Sequence, residues 1–155
     1  MLDAAEADPE PDMDRKAWMS VLAKAPVDAL TDLFSELGEV PAHVWLRAPE
    51  IGAVMVRGRM GGTGAPFNLG EMTVTRGALR LEDGSVGHAW VPGRDRDHAR
   101  MSAICDALMQ GPRAGDVRRV VIEPLRTAYL ARQASIAGQA EKTRVDFFTM
   151  VRGEN

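Results

Sequence analysis

The sequence is short of the features that mark several protein classes. It has a single cysteine, Cys105, which excludes an internal disulfide framework and fits a reducing compartment. Its three histidines, His43, His88 and His98, stand at no metal-ligand spacing from one another or from Cys105. A zinc or iron site needs ligands at short intervals, so no metal is expected. No window holds the roughly 18 uninterrupted apolar residues of a membrane helix. The opening MLDAAEADPEPDMD has neither the basic flank nor the apolar run of a secretory signal. A formal net charge of -3 supplies no field to attract nucleic acid or an anionic membrane. Aromatics make up only 5% of the chain and do not alternate with basic residues as a base-stacking platform would. These absences lead to the expectation of a soluble, cytoplasmic protein with no metal, no membrane contact and no nucleic-acid partner.

What is present is an ordinary globular balance, 45% hydrophobic and 26% charged over 155 residues. That length suits one domain able to bury about two thirds of its unfolded surface. Residues 1–13 are acidic, carry Pro9 and Pro11 and offer little to bury, so they read as a disordered tail before a single domain over 14–155. From Asp14 the pattern turns helical: Trp18, Val21, Leu22 and Ala25 form one stripe, and Leu30, Leu33, Phe34 and Leu37 a second. Pro26 separates them, and Gly38 with Pro41 stops the second, giving a helical hairpin.

Strand signals follow. His43–Arg47 and Ala53–Arg59, parted by Pro49 and Gly52, are expected to be two strands joined by a turn. Apolar residues then change phase, from Met72 and Val74 to Leu79 and Leu81, which predicts a bulge near Arg76–Gly77. Asp83–Gly84 fits the centre of a two-residue hairpin turn, with Leu81 facing Val86, Leu79 facing His88 and Gly77 facing Trp90. In that register the Trp90 indole would cover the bare Gly77 backbone. Asp95 and Asp97 suit the start of a helix striped by Met101, Ile104, Cys105 and Leu108. Gly111–Gly115 reads as a linker, Val117, Val120 and Val121 as a short helix, and Pro124 as the opening of a longer one with a poor apolar stripe. Such a helix is either solvated or covered by another chain. The C-terminal stretch from Arg144 to Gly153 is apolar and aromatic, and Phe147, Phe148, Met150 and Val151 are candidates for a partner interface. The fold class expected is α+β: a helical hairpin, a mostly antiparallel sheet with an Asp-Gly hairpin, helices packed on one face, then a C-terminal helix and apolar tail.

No catalytic motif stands alone. The loop Arg59-Met-Gly-Gly-Thr-Gly64 could offer Arg59 and the backbone of Gly61, Gly62 and Gly64 to a phosphate, but it lacks the lysine of a P-loop and leads into a strand. It serves equally as a tight turn or a close packing surface. Arg57, Arg59, Arg76, Arg80, Arg94, Arg96 and Arg100 could clamp a polyphosphate, with Arg94 the candidate outside the loop, or simply be solvated or interfacial. Cys105, on an apolar stripe and without a histidine partner, reads as core.

Taken together, these pieces resemble the PhnG family, a subunit of the carbon–phosphorus lyase machinery. The resemblance is carried by Arg15–Ala23, the loop Arg59–Gly64, Asp83-Gly84 with Trp90 and Gly93-Arg-Asp95, the run Asp106-Ala-Leu-Met-Gln110, and Arg144–Gly153. It spans nearly the whole chain from Arg15. The resemblance implies a subunit of a synthase in phosphonate catabolism, a transferase complex that joins methylphosphonate to the ribose C1 of ATP and releases adenine. It implies PhnI, PhnH, PhnJ and PhnL proteins as partners. It implies no cofactor beyond ATP as the complex's substrate, no catalytic residue on this subunit and no activity of the chain alone.

Overall fold

The computed structural model describes residues 13–143. The first twelve residues of the expected acidic tail, and the apolar C-terminal stretch with Phe147, Phe148, Met150 and Val151, lie outside the described residues. Two helices open the domain, α1 (Arg15–Lys24) and α2 (Val27–Glu36). The Asp14 carboxylate accepts from the Ala17 amide at 2.7 Å and so fixes the start of α1. Gly38, at φ 76°, takes the left-handed position that ends α2. Both expected stripes are used: Trp18, Leu22, Leu30 and Phe34 are buried.

The sheet has three antiparallel strands in the order β1 (His43–Arg59), β2 (Pro66–Leu81), β3 (Val86–Pro92). The sequence expectation of two strands around Pro49 is corrected: β1 is continuous over 17 residues. It absorbs its Pro-Gly segment as irregularities, since Trp45 pairs with Leu79, Arg47 with Ala78 and Glu50 with Arg76. Each step leaves one extra residue on β1. The bulge expected at Arg76–Gly77 of β2 is therefore on the neighbouring strand. The β2–β3 register is regular through those residues. No phase change is required, because Val74 lies on the sheet face opposite to Leu79 and Leu81.

The β2–β3 connection also differs by one residue from expectation. Leu81 N–H donates to Ser85 O at 2.9 Å, and Gly84 N–H to Leu81 O at 3.1 Å. The loop is thus Glu82-Asp83-Gly84, with only Gly84 at positive φ (88°), a three-residue turn closed by a glycine bulge. The register moves accordingly: Gly77 faces Ala89, and Trp90 faces Arg76. Trp90 does not cover Gly77; its ring lies 5.4 Å from the Arg76 guanidinium. A glycine is covered by an aromatic elsewhere, at Gly58, whose cross-strand partner Phe67 lays its ring over the bare backbone.

Helix α3 (Arg96–Leu108) lies against the core face of the sheet and, apart from the half-exposed Arg100, is buried from His98 onward. Asp95 caps it by accepting from the His98 amide at 2.8 Å, as its position in the sequence suggests. Ala99, Ala103 and Ala107 recur at four-residue spacing, and their lack of bulk lets the helix backbone sit on β3. The contact is closest at Gly87, where any Cβ would overlap the Ala103 carbonyl oxygen. On its other side α3 meets α1 and α2, and the buried His98 donates from Nε2 to the Leu22 carbonyl at 2.8 Å. The Gly111–Gly115 segment runs into α4 (Ala114–Val117). A π-helical stretch (Arg118–Ile122) and α5 (Glu123–Lys142) follow without a break. Val117, Val121, Ile122 and Leu125 complete the core, and beyond them α5 is almost wholly exposed.

Candidate functional site

Two arrangements stand out, one closed on itself and one open. The closed one centres on Asp106, whose carboxylate is fully buried on α3. Arg15 reaches it from α1 with two donors, Nε to Oδ1 at 3.1 Å and Nη2 to Oδ2 at 2.7 Å. Trp18 Nε1 donates to Oδ1 at 2.9 Å, and the His88 backbone N–H to Oδ2 at 2.8 Å. The hydrogen bond to this carboxylate raises the Arg15 pKa, against a smaller opposing effect of burial. Arg15 Nη2 and Gln110 Nε2 both donate to the Val86 carbonyl, at 3.1 and 2.8 Å. Arg15, Trp18, Asp106 and Gln110 thus form one network joining α1, β3 and α3. With both carboxylate oxygens doubly hydrogen-bonded, Asp106 is a tie between elements.

The open arrangement is a hairpin arm. Beyond Val74, the β2 residue paired with Pro92 at the end of β3, strand β2 has only β1 beside it. The two strands run on together to Arg59 and Pro66, about 25 Å at roughly 3.3 Å per residue. Met55, Met60, Phe67, Leu69 and Met72 are exposed along this arm, Met60 at 75% and Leu69 at 67% of their full areas, and Ile51 is exposed at its base. Val44, Leu46 and Trp90 extend the exposed apolar surface over the rest of the sheet.

The glycine-rich loop is the arm's tip. Met60–Gly62 make a 3-10 turn in which Gly61 (φ 60°) and Gly62 (φ 81°) adopt conformations that side chains disfavour. Gly64 N–H donates to Met60 O at 2.8 Å, and Arg59 Nη1 donates to Gly64 O at 3.1 Å. One Arg59 nitrogen is therefore used to close the loop. Arg94 lies in the turn between β3 and α3, at the opposite end of the arm, so the structure does not bring it to Arg59 and the glycines. Arg80 pairs with Val86 at the far end of β2. Arg57, Arg80, Arg94 and Arg96 make no ion pair among the described residues, and they do not converge.

Where arginines do gather, a carboxylate holds them. Glu50 accepts from Arg47 Nη1 and Arg76 Nε, both at 2.6 Å, at the irregular part of β1. These hydrogen bonds, Arg47's first, hold the Glu50 pKa below its ordinary value. Cys105 is buried, and desolvation pushes its thiol up to about 12, which removes it as a nucleophile at neutral pH. No group of His, Cys, Asp and Glu among the described residues could hold a metal ion. No described helix is long and apolar enough to cross a membrane.

Sequence reasoning missed two features. Ala53–Arg59 reads as a strand, but the arm escapes sequence because residues 66–71, with Asn68 and Gly70, carry little strand signal of their own and become strand by pairing with β1. The Asp106 hub had no local signal, since its partners are far apart in the chain and meet only in three dimensions.

The family described as PhnG, phosphonate metabolism protein PhnG, matches residues 13–153. A Rhizobium meliloti (strain 1021) protein is 42% identical over 160 residues, covering 100% of both chains. That relative is the PhnG subunit of alpha-D-ribose 1-methylphosphonate 5-triphosphate synthase. With the match running through both the Asp106 network and the arm, the chain belongs to the PhnG family of phosphonate-metabolism proteins.

Proposed function

We propose that this chain is an accessory, interface-forming subunit of the carbon–phosphorus lyase system. It supports the complex that transfers methylphosphonate onto the ribose C1 of ATP and releases adenine, and it is inactive alone. The observation that carries the reading is the hairpin arm, which leaves Met55, Met60, Phe67, Leu69 and Met72 exposed on a two-stranded projection with no further strand or helix of the described residues to cover them. The exposed length of α5, which has only Leu130 and Ile136 as large exposed apolar residues, is a further surface open to a partner. PhnI, PhnH, PhnJ and PhnL proteins are the partners proposed, in the cytoplasm, with ATP bound as substrate by the complex and no cofactor held by this chain. The C-terminal Phe147, Phe148, Met150 and Val151 belong to the same proposed interface.

The test is product analysis from PhnI, PhnH and PhnL proteins supplied with ATP and methylphosphonate, with and without this chain. The ribose methylphosphonate triphosphate is expected only when the chain is present. Equal yield without it, together with failure to co-purify, would overturn the reading. A second reading rests on the exposed tip, where Arg59 and the backbone of Gly61, Gly62 and Gly64 contribute a phosphate contact to a shared active site. Arg59→Ala would then lower turnover in a complex that still assembles. If the tip only packs, the same variant leaves turnover unchanged.

A further inference from the structure

The free edge of β3 is handled in two different ways along its short length. Leu81 N–H bonds Ser85 O, and Gly93 N–H bonds Thr73 O, so odd-numbered residues of this segment turn their backbone groups toward β2. The even-numbered Val86, His88 and Trp90 therefore turn theirs outward. At the first two, side chains substitute for a neighbouring strand. Arg15 and Gln110 donate to the Val86 carbonyl, and Asp106 accepts from the His88 amide. No side chain takes this role at the His88 carbonyl or at the Trp90 N–H and C=O among the described residues.

Beside that open stretch lies a groove of about 450 Å³ between α1 and β3. Met19, Ala23, Ala89 and Val91 give it apolar walls, and Trp90, half exposed, stands at its lip. Ser102 of α3 lines it, 3% exposed, with a hydroxyl that has no hydrogen-bond partner. A buried hydroxyl left unpaired is costly, and it marks a place where an incoming polar atom is stabilised. At the rim stands Lys16, exposed and without a carboxylate partner among the described residues.

The geometry points to a peptide-docking site: an extended segment of another subunit adds as a fourth strand beside His88–Pro92. Its backbone bonds the Trp90 N–H and C=O and the His88 carbonyl, the mode in which main-chain pairing gives affinity and alternate side chains give specificity. One bulky apolar side chain enters the groove, a backbone or side-chain polar group meets Ser102 Oγ, and a flanking carboxylate meets Lys16. The Asp106 network sets where the added strand begins, because it already occupies the edge at Val86. This inference rests on the interface-forming reading above and names a second surface, distinct from the arm.

The experiment is residue-resolved hydrogen exchange on the full chain, free and in complex with co-expressed PhnI, PhnH and PhnJ proteins. The Trp90 amide is expected to exchange at least about tenfold more slowly in the complex. Ser20→Trp, which fills the groove from the surface of α1, and Lys16→Glu should each weaken assembly while leaving the melting temperature of the free chain unchanged. A complex that forms with Trp90 exchanging as in the free chain overturns the docking site and leaves the subunit reading standing. Absence of any complex overturns both. Slow exchange in the free chain that disappears on truncation after Thr143 would make the C-terminal segment the occupant and overturn the proposal. Slow exchange in the isolated chain that depends on its concentration would do the same in favour of a second copy.

Discussion

The two halves of β2 are one strand with two fates. From Val74 to Leu81 most residues are buried, with Thr75 and Leu79 fully so. From Pro66 to Met72 every residue is exposed. Apolar content does not separate them, since Phe67, Leu69 and Met72 match Val74, Leu79 and Leu81 in hydrophobicity. What differs is the company. The inner half has β3 at its edge and α3 on its face, whereas the outer half has β1 alone. Burial here is a property of arrangement, and a strand can carry part of another molecule's core as readily as its own.

The strongest way to break the inner half is at its tie. Asp106→Ala leaves Arg15, Trp18 Nε1 and the His88 amide without their acceptor and is expected to cost about 3–5 kcal/mol in urea unfolding. A loss below about 1 kcal/mol would mean that the network does not hold the body together. Gly87→Ala attacks the same region by forcing α3 off the sheet, and about 1–3 kcal/mol is expected.

The outer half should respond in the opposite sense. Met55→Lys with Leu69→Lys should change stability by no more than about 0.5 kcal/mol per site and yet abolish co-purification with partner subunits. Large destabilisation with intact assembly would reverse the comparison.

Two milder tests sharpen it. Native Cys105 should resist alkylation at neutral pH and react only on unfolding, because burial holds its thiol near 12; prompt labelling of the folded chain would contradict the packing of α3. At Glu50 the folded pKa lies below the unfolded one, so the stabilising contribution is present above the ordinary carboxylate range. It is lost as pH falls through the lowered folded value. A carboxyl titration followed by NMR should place the Glu50 midpoint below those of unpaired glutamates, and an ordinary midpoint would show that the Arg47 and Arg76 contacts do not persist in solution.

Much of the body was legible in sequence because its signals are local. The stripes through Trp18 and Leu22, Leu30 and Phe34, and Ile104 and Cys105 announce helices and their buried faces, and Asp14, Gly38 and Asp95 announce their ends. The strand errors share one cause: pairing is decided by the neighbour. Pro49 and Gly52 look like a turn until β2 is seen to pair on both sides of Pro49, with the extra residues of β1 taken up as irregularities, and the glycine bulge at Gly84 moves every β3 partner by one. The proposed site was legible only in part. The tip glycines and Arg59 draw attention in sequence, but nothing local distinguishes Leu69 at the surface from Leu79 in the core.

The outer edge of β1 has a consequence for the supply of this protein. Seventeen residues of strand lie at the sheet's boundary, with Val44, Leu46, Ile51 and Met55 exposed along them. Such an edge is a template for any other strand, identical copies included. A chain with that edge uncovered is therefore expected to self-associate as its concentration rises. Solubility then becomes a question of whether that edge is covered, and of how much of the chain is present when it is not.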